Sequence, residues 1–461
     1  MERSNNSTHI FQNKNERELE KGVGIEIYST PSFSGINAIY KKKYKDFIVK
    51  EITRTGQTLE ISGYDTTISF SEDSKDKYTT FNLVKINKDT FEAIRIISRA
   101  LKIHPNLIEV SGLKDKRSIS VQKASIKGNH VEKLKKLKLK DIFFRGITPT
   151  RKPVKLGSNR GNHFIITLRD IEKKVNEEER IKALFDELHT RGFPNYYGLQ
   201  RFGTFRPNSH IVGRFILEGE YQKAYDEFVL ATYSTELTQS QLVREELKKS
   251  GDLEKAYNSF PESLNYERDM IKYLLDNPRD YEGAINHLPN YLIKILISSF
   301  QSYLFNNMLS LRHKYGKSLY KPFKGDVFVI LDDDNGNITK IKYTYGGLYD
   351  KFLQEANKLN RARIVIPLIG YNTNLDDFPL MKSILLEILD KEQISVELFN
   401  NELLYTYEFK GSFRPIIGKP LGLKILEYTE DDCFQNKNKL KIEFSLQKGS
   451  YATMLLREII K

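Results

Sequence analysis

Cysteine is almost absent from this chain of 461 residues, and its scarcity excludes several kinds of site. The single cysteine, Cys433, cannot form an intramolecular disulfide and cannot supply a zinc or iron–sulfur centre that needs several thiolates. The eight histidines are also too far apart in the sequence for any two to lie one turn apart on a helix. We therefore expect an intracellular protein without a cysteine- or histidine-based metal centre.

Long apolar segments are missing as well. The first thirty residues lack the apolar core of a secretion signal, and they carry acidic residues that a transit peptide avoids. The most apolar helical stretch, residues 291–311, is interrupted by Lys294, Gln301 and Asn306. We expect no membrane insertion and residence in the cytoplasm or nucleus, and we interpret residues 1–30 as a mobile polar arm.

Several common catalytic signatures are not in the sequence. Gly22 and Gly24 begin a dinucleotide-binding pattern, but Ile27 stands where its third glycine belongs. There is no Walker A sequence, no HExxH zinc motif and no G-x-S-x-G nucleophile elbow. Nucleotide-driven, zinc-dependent and α/β-hydrolase chemistry are therefore disfavoured.

Positive charge is what the chain has in excess. Lysine and arginine total 73 against 60 aspartate and glutamate residues, which gives a formal net charge of +13. Such a balance suits a polyanionic partner, but many basic proteins bind no nucleic acid. The charge alone therefore leaves nucleic-acid binding undecided.

Hydrophobic periodicity indicates mixed α and β structure. Apolar positions from Phe91 to Leu101 recur at helical spacing, with Asn87 or Thr90 as the expected N-cap. A helical pattern over 177–191 ends at Gly192–Pro194, where we place a domain boundary. Asn335 and Gly336 predict the turn of a hairpin between two strands.

One carboxylate stands out by the charges around it. Asp115 lies between Lys114 and Lys116, with Arg117 beyond, in a polar segment between two strand-like runs. Neighbouring cations favour the ionised carboxylate, which can act as a nucleophile or a base. A solvated turn with a surface ion pair explains the same residues, so spacing alone leaves both interpretations open.

Aromatic residues interleaved with cations are a further hint of RNA binding. Phe164 lies between Arg160 and Arg169, and residues 196–206 contain two tyrosines, two phenylalanines and two arginines. Such groups can stack bases and hold phosphates, although most of them fill cores in other proteins. The lysine-rich stretch 131–140 is likewise more typical of a solvated face than of an RNA-binding track.

Taken together, the motifs resemble those of the TruD family of pseudouridine synthases. The resemblance begins with GLKDKR at 112–117 followed by Gln122, and with KKKYKDFIVKE at 41–51. Four further segments follow in the family's order: RGNHFIITLR at 160–169, NYYGLQRFG at 195–203, QSYLFN at 301–306 and SYATMLLRE at 450–458. The chain departs from the family at Leu446-Gln447, where Leu-Pro is common, and at Phe300, where an aliphatic residue is usual.

The resemblance implies a reaction and a role for four residues. It implies isomerisation of uridine to pseudouridine in RNA, with no cofactor and no metal, by breaking the N1–C1′ bond and joining C5 to C1′. Asp115 matches the catalytic aspartate, which either attacks C1′ or removes the C2′ proton, and we expect it to be buried. Lys41 matches a lysine beside that aspartate. Phe164 matches an aromatic that stacks on the flipped-out uracil, and Asn162 a polar group that contacts the nucleotide.

The resemblance also implies an α/β (α+β) architecture with two domains. The expected catalytic pseudouridine synthase domain has a mixed, mostly antiparallel sheet and comprises residues 31–193 and 419–461. An inserted TruD-specific α/β domain is expected over 194–418, with RNA entering the cleft between the two. The implied partner is RNA, with tRNA first and small nuclear or messenger RNA as further options, and we expect a monomer.

Two other functions stay open at this point. A non-catalytic RNA-binding or RNA-chaperone protein could keep the same fold and the same basic surface. An RNA-modifying transferase would differ by depending on an added cosubstrate.

Overall fold

The computed structural model describes residues 14–63, 67–70, 75–332 and 338–461, with side chains from residue 17 onward. Contacts divide these residues into two compact units. The large-sheet unit contains Tyr28–Phe193 and Gly418–Lys461. The helix-rich unit contains the described residues up to Ile27, Pro194–Asp332 and Ile338–Ile417. The chain therefore passes between the units at residues 27/28, 193/194 and 417/418.

Strands occur in both units. In chain order they are β1 Phe47–Ile52, β2 Tyr78–Ile86, β3 Ile108–Val110, β4 Ile119–Lys127, β5 Ile142–Thr150, β6 Gly161–Glu172, β7 Phe193–Pro194, β8 Val327–Leu331, β9 Ile338–Thr344, β10 Ala362–Leu368, β11 Ser412–Pro415, β12 Ile417–Gly418, β13 Leu421–Glu430 and β14 Lys437–Gln447.

Most helices belong to the helix-rich unit. In chain order the helices are α1 Lys14–Gly22, α2 Thr90–Leu101, α3 Val131–Lys136, α4 Glu177–Arg191, α5 Ser209–Leu217, α6 Tyr221–Tyr225, α7 Thr238–Ser250, α8 Leu253–Ser259, α9 Asn265–Asp276, α10 Tyr281–Asn286, α11 Asn290–Lys314, α12 Lys351–Lys358, α13 Pro379–Lys391, α14 Glu402–Thr406 and α15 Ala452–Ile460.

The large-sheet unit is built on one eight-stranded mixed sheet. Its strand order is β13-β14-β6-β1-β4-β2-β5, with β3 also paired to β4. The pair β1–β4 is parallel and the other pairs are antiparallel. Strand β2 covers one edge of β4 completely, whereas the other edge is shared by β1 and then β3. The ends of β1 and β3 therefore converge beside β4.

An apolar core lies under one face of the β2–β4–β5 part of this sheet. Buried side chains of these strands, among them Phe81, Leu83 and Phe144, pack with Ile94 and Ile97 of α2. Helix α2 has the periodicity that the sequence predicts, but its N-cap is Asp89, whose carboxylate accepts a hydrogen bond from the Glu92 amide. The cap therefore lies between the two residues that the sequence suggested.

The helix-rich unit has its own small sheet beside a long helix. Strands β11, β10, β8 and β9 form an antiparallel sheet in that order. Helix α11 packs on α5, α13 and β10, and its central side chains are buried. The predicted hairpin strands are therefore present as β8 and β9, while the predicted Asn335-Gly336 turn lies outside the described residues. Within the part of the chain described, every helix is too short or too polar to cross a membrane.

The start of the chain differs from the predicted mobile arm. Residues 14–22 form α1, and Val23 and Ile25 just after it are completely or almost completely buried. Asn306 donates its side-chain N–H to the Val23 carbonyl at 3.0 Å, and Ser310 donates its hydroxyl to the Gly24 carbonyl at 2.6 Å. The prediction of a mobile arm through residue 30 is therefore wrong for these described residues, because their apolar side chains are buried and their backbone carbonyls accept hydrogen bonds from α11.

Candidate active site

The segment that carries Asp115 is a loop held by hydrogen bonds along its length. We call residues 112–117 the Asp115 loop; it connects β3 to β4. Gln122 donates its side-chain N–H to the Gly112 carbonyl at 2.9 Å, and the Lys114 amide donates to the Thr90 hydroxyl at 3.0 Å. Ser118 donates its hydroxyl to the Asp115 carbonyl at 2.7 Å. The backbone around Asp115 is therefore fixed before any ligand binds.

The structure brings Lys41 and Asp115 together, although 74 positions separate them. Lys41 Nζ lies 2.6 Å from Asp115 Oδ2 and 4.2 Å from the centre of the Phe47 ring. Lys41 has a φ of +59°, a left-handed conformation that is uncommon for a residue with a side chain. Arg117 donates a guanidinium N–H to the Lys42 carbonyl at 2.5 Å. The Asp115 loop therefore contacts both the side chain of Lys41 and the backbone of the next residue, Lys42.

Asp115 is not the buried carboxylate that the resemblance led us to expect. Its side chain is 43% exposed, whereas that of Lys41 is 14% exposed. A loop that must offer a carboxylate to an external substrate cannot bury it in the protein alone. The expectation of a buried catalytic carboxylate is therefore wrong for the structure described here.

The buried carboxylate near the loop belongs to Glu51. The side chains of Glu51 and Lys114 are 1% and 5% exposed, and Glu51 Oε2 lies 2.9 Å from Lys114 Nζ. Ser111 donates its hydroxyl to Glu51 Oε1 at 2.5 Å. This pair forms where β1 and β3 converge, and it ties the sheet to the residue that precedes Asp115.

A second lysine supports the loop from inside the sheet. Lys85, near the end of β2, has no exposed surface. Its Nζ donates to the Asp115 carbonyl at 2.8 Å and to the Lys88 carbonyl at 2.5 Å. Burial lowers the pKa of Lys85 to about 8, and the nearby charge of Asp115 opposes part of that shift.

Phe164 lies in a row of aromatic side chains rather than on an open surface. It is 7% exposed, and its ring centre is 5.2 Å from that of Phe444 and 6.1 Å from that of Phe47. Phe444 is its direct cross-strand partner on β14. The ring therefore meets a ligand over a small part of its surface unless its neighbours move.

Asn162 occupies the same face of the sheet, two residues before Phe164. It is half-buried on β6 opposite Glu51, and directly paired residues in neighbouring strands point to the same side. Its Oδ1 is buried without a hydrogen-bond partner among the described residues. Buried polar atoms are normally hydrogen-bonded, so this amide oxygen could accept a hydrogen bond from a ligand that carries a donor.

The segment that carries Lys41 is anchored by a buried arginine. Arg169 donates to both oxygens of Asp46, at 3.0 and 2.8 Å, and to Asp431 and Asp432, each at 2.7 Å. Its backbone also pairs with Ile39. The two aspartates lie close to Cys433, but the Arg169 guanidinium already binds both carboxylates. Arg169 therefore links β6 and the β13–β14 turn to the backbone on either side of Lys41.

Other residues that suggested RNA binding have structural roles. Tyr196 and Phe202 are buried. Arg206 is held by Glu236 and by three main-chain carbonyls near the end of α6. In the lysine-rich stretch 131–140, the apolar residues of α3 are buried and its lysines are exposed. The core interpretation therefore holds for the two buried aromatics and the solvated-face interpretation for α3, whereas Phe205 is 44% exposed.

Sequence reasoning missed the role of two buried charges at the site. Glu51 was noted as part of a motif but not as the partner of Lys114, and Lys85 was not singled out at all. For Lys85 the available signal was a lone charged residue inside an apolar strand, in FNLVKI at 81–86.

Comparison with known proteins identifies the family to which the chain is similar. The family model for tRNA pseudouridine synthase D (TruD) matches residues 22–459. A protein of Methanosarcina mazei named "Probable tRNA pseudouridine synthase D" is 34% identical over 451 residues, covering 96% of this chain and 98% of its own. A protein of the same name from Thermococcus sibiricus is 34% identical over 436 residues, covering 93% of this chain and 96% of its own.

A solved structure extends the agreement to three dimensions. The crystal structure of a TruD protein from Methanosarcina mazei superimposes with a TM-score of 0.73 at 32% sequence identity, covering 96% of this chain and 98% of that one. The predicted mixed α/β architecture is thereby confirmed, and so is the family that the motifs indicated. The chain belongs to the tRNA pseudouridine synthase D (TruD) family.

Proposed function

We propose that this protein, a pseudouridine synthase by family, isomerises specific uridines of tRNA with Asp115 as its catalytic residue. The observation that carries the proposal is the Lys41–Asp115 ion pair, 2.6 Å long, on a loop tied down at Gly112, Lys114 and Asp115. An accessible carboxylate in a fixed position, oriented by an ammonium group, is what covalent or general-base chemistry at a sugar carbon requires.

The reaction needs no group beyond the uridine to balance. The N1–C1′ bond breaks, the uracil turns, a C5–C1′ bond forms, and the proton lost from C5 is matched by one gained at N1. Asp115 serves either by adding to C1′ and leaving again, or by taking the C2′ proton and returning it. Both routes start from an ionised carboxylate that the substrate can reach, and the 43% exposure of Asp115 supports that requirement.

Asn162 and Phe164 are proposed to hold the extruded base. The Asn162 oxygen, which has no hydrogen-bond partner in the described part of the chain, suits the N3–H donor of uracil. Phe164 would contribute the small exposed part of its ring, backed by Phe47 and Phe444. Base–aromatic stacking is worth about 1–3 kcal/mol, which offsets part of the few kcal/mol needed to flip a base out.

The direct test is Asp115→Asn. We expect it to abolish pseudouridine formation in a pool of in vitro transcribed tRNAs, measured by mass spectrometry of nucleosides, while RNA affinity stays within about twofold. The matched control is Asp376→Asn, because Asp376 also pairs with a lysine, Lys382 at 2.7 Å, but lies on the surface of the helix-rich unit. Full activity of Asp115→Asn would contradict the assignment of Asp115.

The same assay separates the other two functions. A non-catalytic RNA-binding or chaperone protein would bind the tRNA pool and leave its uridines unchanged. A transferase would lose activity on dialysis and regain it with a small-molecule extract, whereas we expect dialysed protein and tRNA alone to be sufficient.

The substrate and the assembly state are part of the proposal. The names of the relatives refer to tRNA, which supports tRNA over small nuclear or messenger RNA and an intracellular site of action. Pseudouridine mapping in total RNA with and without the gene would identify the target. We expect a monomer, for which light scattering would give a mass near 53.7 kDa.

A further inference from the structure

A fully buried lysine lies directly beneath the catalytic loop, and the proposed reaction does not use it. Lys85 is the penultimate residue of β2 and is paired with Ser120 of β4 and Ile142 of β5. Its neighbour two positions earlier, Leu83, belongs to the apolar core on the same face. A core position of this kind is ordinarily filled by an aliphatic residue.

The contacts of Lys85 are directed at the Asp115 loop. Its Nζ donates to the carbonyl of Asp115 itself at 2.8 Å, and to that of Lys88 at 2.5 Å. Neither contact is with a carboxylate. The Lys85 ammonium group therefore lies directly against the backbone of Asp115.

Charges of both signs surround the Lys85 ammonium. Asp115 and Lys114 face it from the Asp115 loop, and Asp89 and Glu92 face it from the start of α2. The three carboxylates favour its charged form and Lys114 opposes it, but burial has the largest effect and lowers its pKa to about 8. The fold thus keeps a charge in a place where the charge itself is unfavourable.

The stability of the fold does not explain why a lysine occupies this core position. Apolar replacements of similar shape at buried charged positions are often neutral or stabilising, because they remove the desolvation penalty. Ser118 already donates to the Asp115 carbonyl, so the loop does not depend on Lys85 for its only hydrogen bond there. The presence of Lys85 is better explained by its effect on Asp115.

We propose that Lys85 is a positioning residue for pseudouridine formation, which holds the Asp115 backbone in place and supplies a positive charge beneath its carboxylate. Lys41 then binds the carboxylate from the outer side and Lys85 acts on the same residue from the interior. This inference rests on the proposed function of Asp115.

The first test is Lys85→Met, which keeps the length of the side chain and removes the charge. We expect kcat to fall about 10- to 100-fold on the transcribed tRNA pool, as is typical when a residue that orients a reacting group is lost, with KM within about twofold. We expect the thermal midpoint to stay the same or rise. A fall in stability with unchanged kcat, or failure to fold, would make Lys85 a structural residue and overturn the inference.

A matched control is Lys123→Met. Lys123 is also a strand lysine whose pKa is lowered by burial, but its side chain lies on the opposite face of the sheet, where its Nζ donates to Asn82 at 3.1 Å. We expect kcat of this variant to remain within about twofold of the wild type. Equal losses of kcat in the two variants would contradict a specific role for Lys85.

The pH dependence of the wild-type protein provides a test that does not depend on any variant's folding. Above a pH of about 8, folded Lys85 loses its proton, so we expect the single-turnover rate to fall. The unfolded chain still binds that proton up to its ordinary pKa, so folding becomes more favourable over the same range. The single-turnover rate should therefore fall while the free energy of unfolding rises between about pH 8 and 10. Both changes should be missing from Lys85→Met.

The outcomes distinguish this inference from the proposed function. If wild-type protein makes no pseudouridine in any RNA, the proposed function fails. If the wild type is active and Lys85→Met matches it in kcat and in pH profile, only the positioning role fails.

Discussion

The ion pair between Glu51 and Lys114 allows a quantitative prediction about the stability of the site. Both side chains are almost fully buried and their charged atoms are 2.9 Å apart. Removing one partner of a buried pair leaves the other charge uncompensated, which costs about 3–5 kcal/mol. We therefore expect Glu51→Gln and Lys114→Met each to destabilise the large-sheet unit by about that amount.

The double variant Glu51→Gln/Lys114→Met should be more stable than either single variant. It removes both charges together, so the main remaining loss is the charge-assisted hydrogen bond from Ser111, and we expect a cost of about 1–2 kcal/mol. Its kcat should nevertheless stay below that of the wild type, because the tie from β1 to the Asp115 loop is gone. The double variant would thus regain stability relative to the single variants without regaining kcat.

Native-state hydrogen exchange is the suitable measurement, since a chain with two units need not unfold in one step. The slowest amides of β1 and β4 report the opening of the large-sheet unit alone. A cost of 3–5 kcal/mol corresponds to exchange faster by about two to three and a half powers of ten, at 1.4 kcal/mol for each factor of ten. A change below tenfold in the single variants, or a double variant less stable than both, would refute the reasoning.

Four further predictions concern other parts of the protein. Lys41→Met should lower kcat by about 100-fold or more, because Asp115 loses the cation that orients it. Lys41→Arg keeps a cation and should recover part of the lost activity. Equal rates for both variants and the wild type in steady-state assays would contradict the role of the pair. Phe164→Leu should weaken turnover with the fold retained, whereas Phe164→Ala should also cost about 3–5 kcal/mol in thermal unfolding, because the ring is packed between two phenylalanines. Gly161→Ala should prevent folding or strongly destabilise β6, since its Cβ would lie 2.2 Å from the Leu446 carbonyl oxygen; wild-type circular dichroism and melting would contradict this. Burial lowers the pKa of His210 to about 4, so the folded helix-rich unit binds fewer protons than its unfolded form between pH 6.5 and 4. Its stability should fall by about 3 kcal/mol as the pH drops through that range, and His210→Gln should remove most of this dependence in acid titrations followed by hydrogen exchange.

The sequence determined the features that depend on neighbouring residues or on motifs. Periodicity predicted helix α2, because a buried face repeats every 3.6 residues in a helix. The turn signal Asn335-Gly336 predicted the strands β8 and β9 on either side of it. The ordered motifs indicated the family and hence Asp115, whose candidacy needed only its immediate charged neighbours and that resemblance. None of these conclusions required knowledge of a distant contact.

The tertiary structure decided which charges are buried and which aromatic rings are covered. Phe164 is covered by Phe444, 280 positions later in the chain, and the Val23 segment by α11. Glu51 and Lys85 became part of the site because the β1–β4 and β2–β4 pairings bring them to the Asp115 loop. Strand register between distant segments sets these contacts, and burial is a property of all the surrounding segments together. A local pattern therefore identified the catalytic candidate, but only the folded sheet shows what holds it in place.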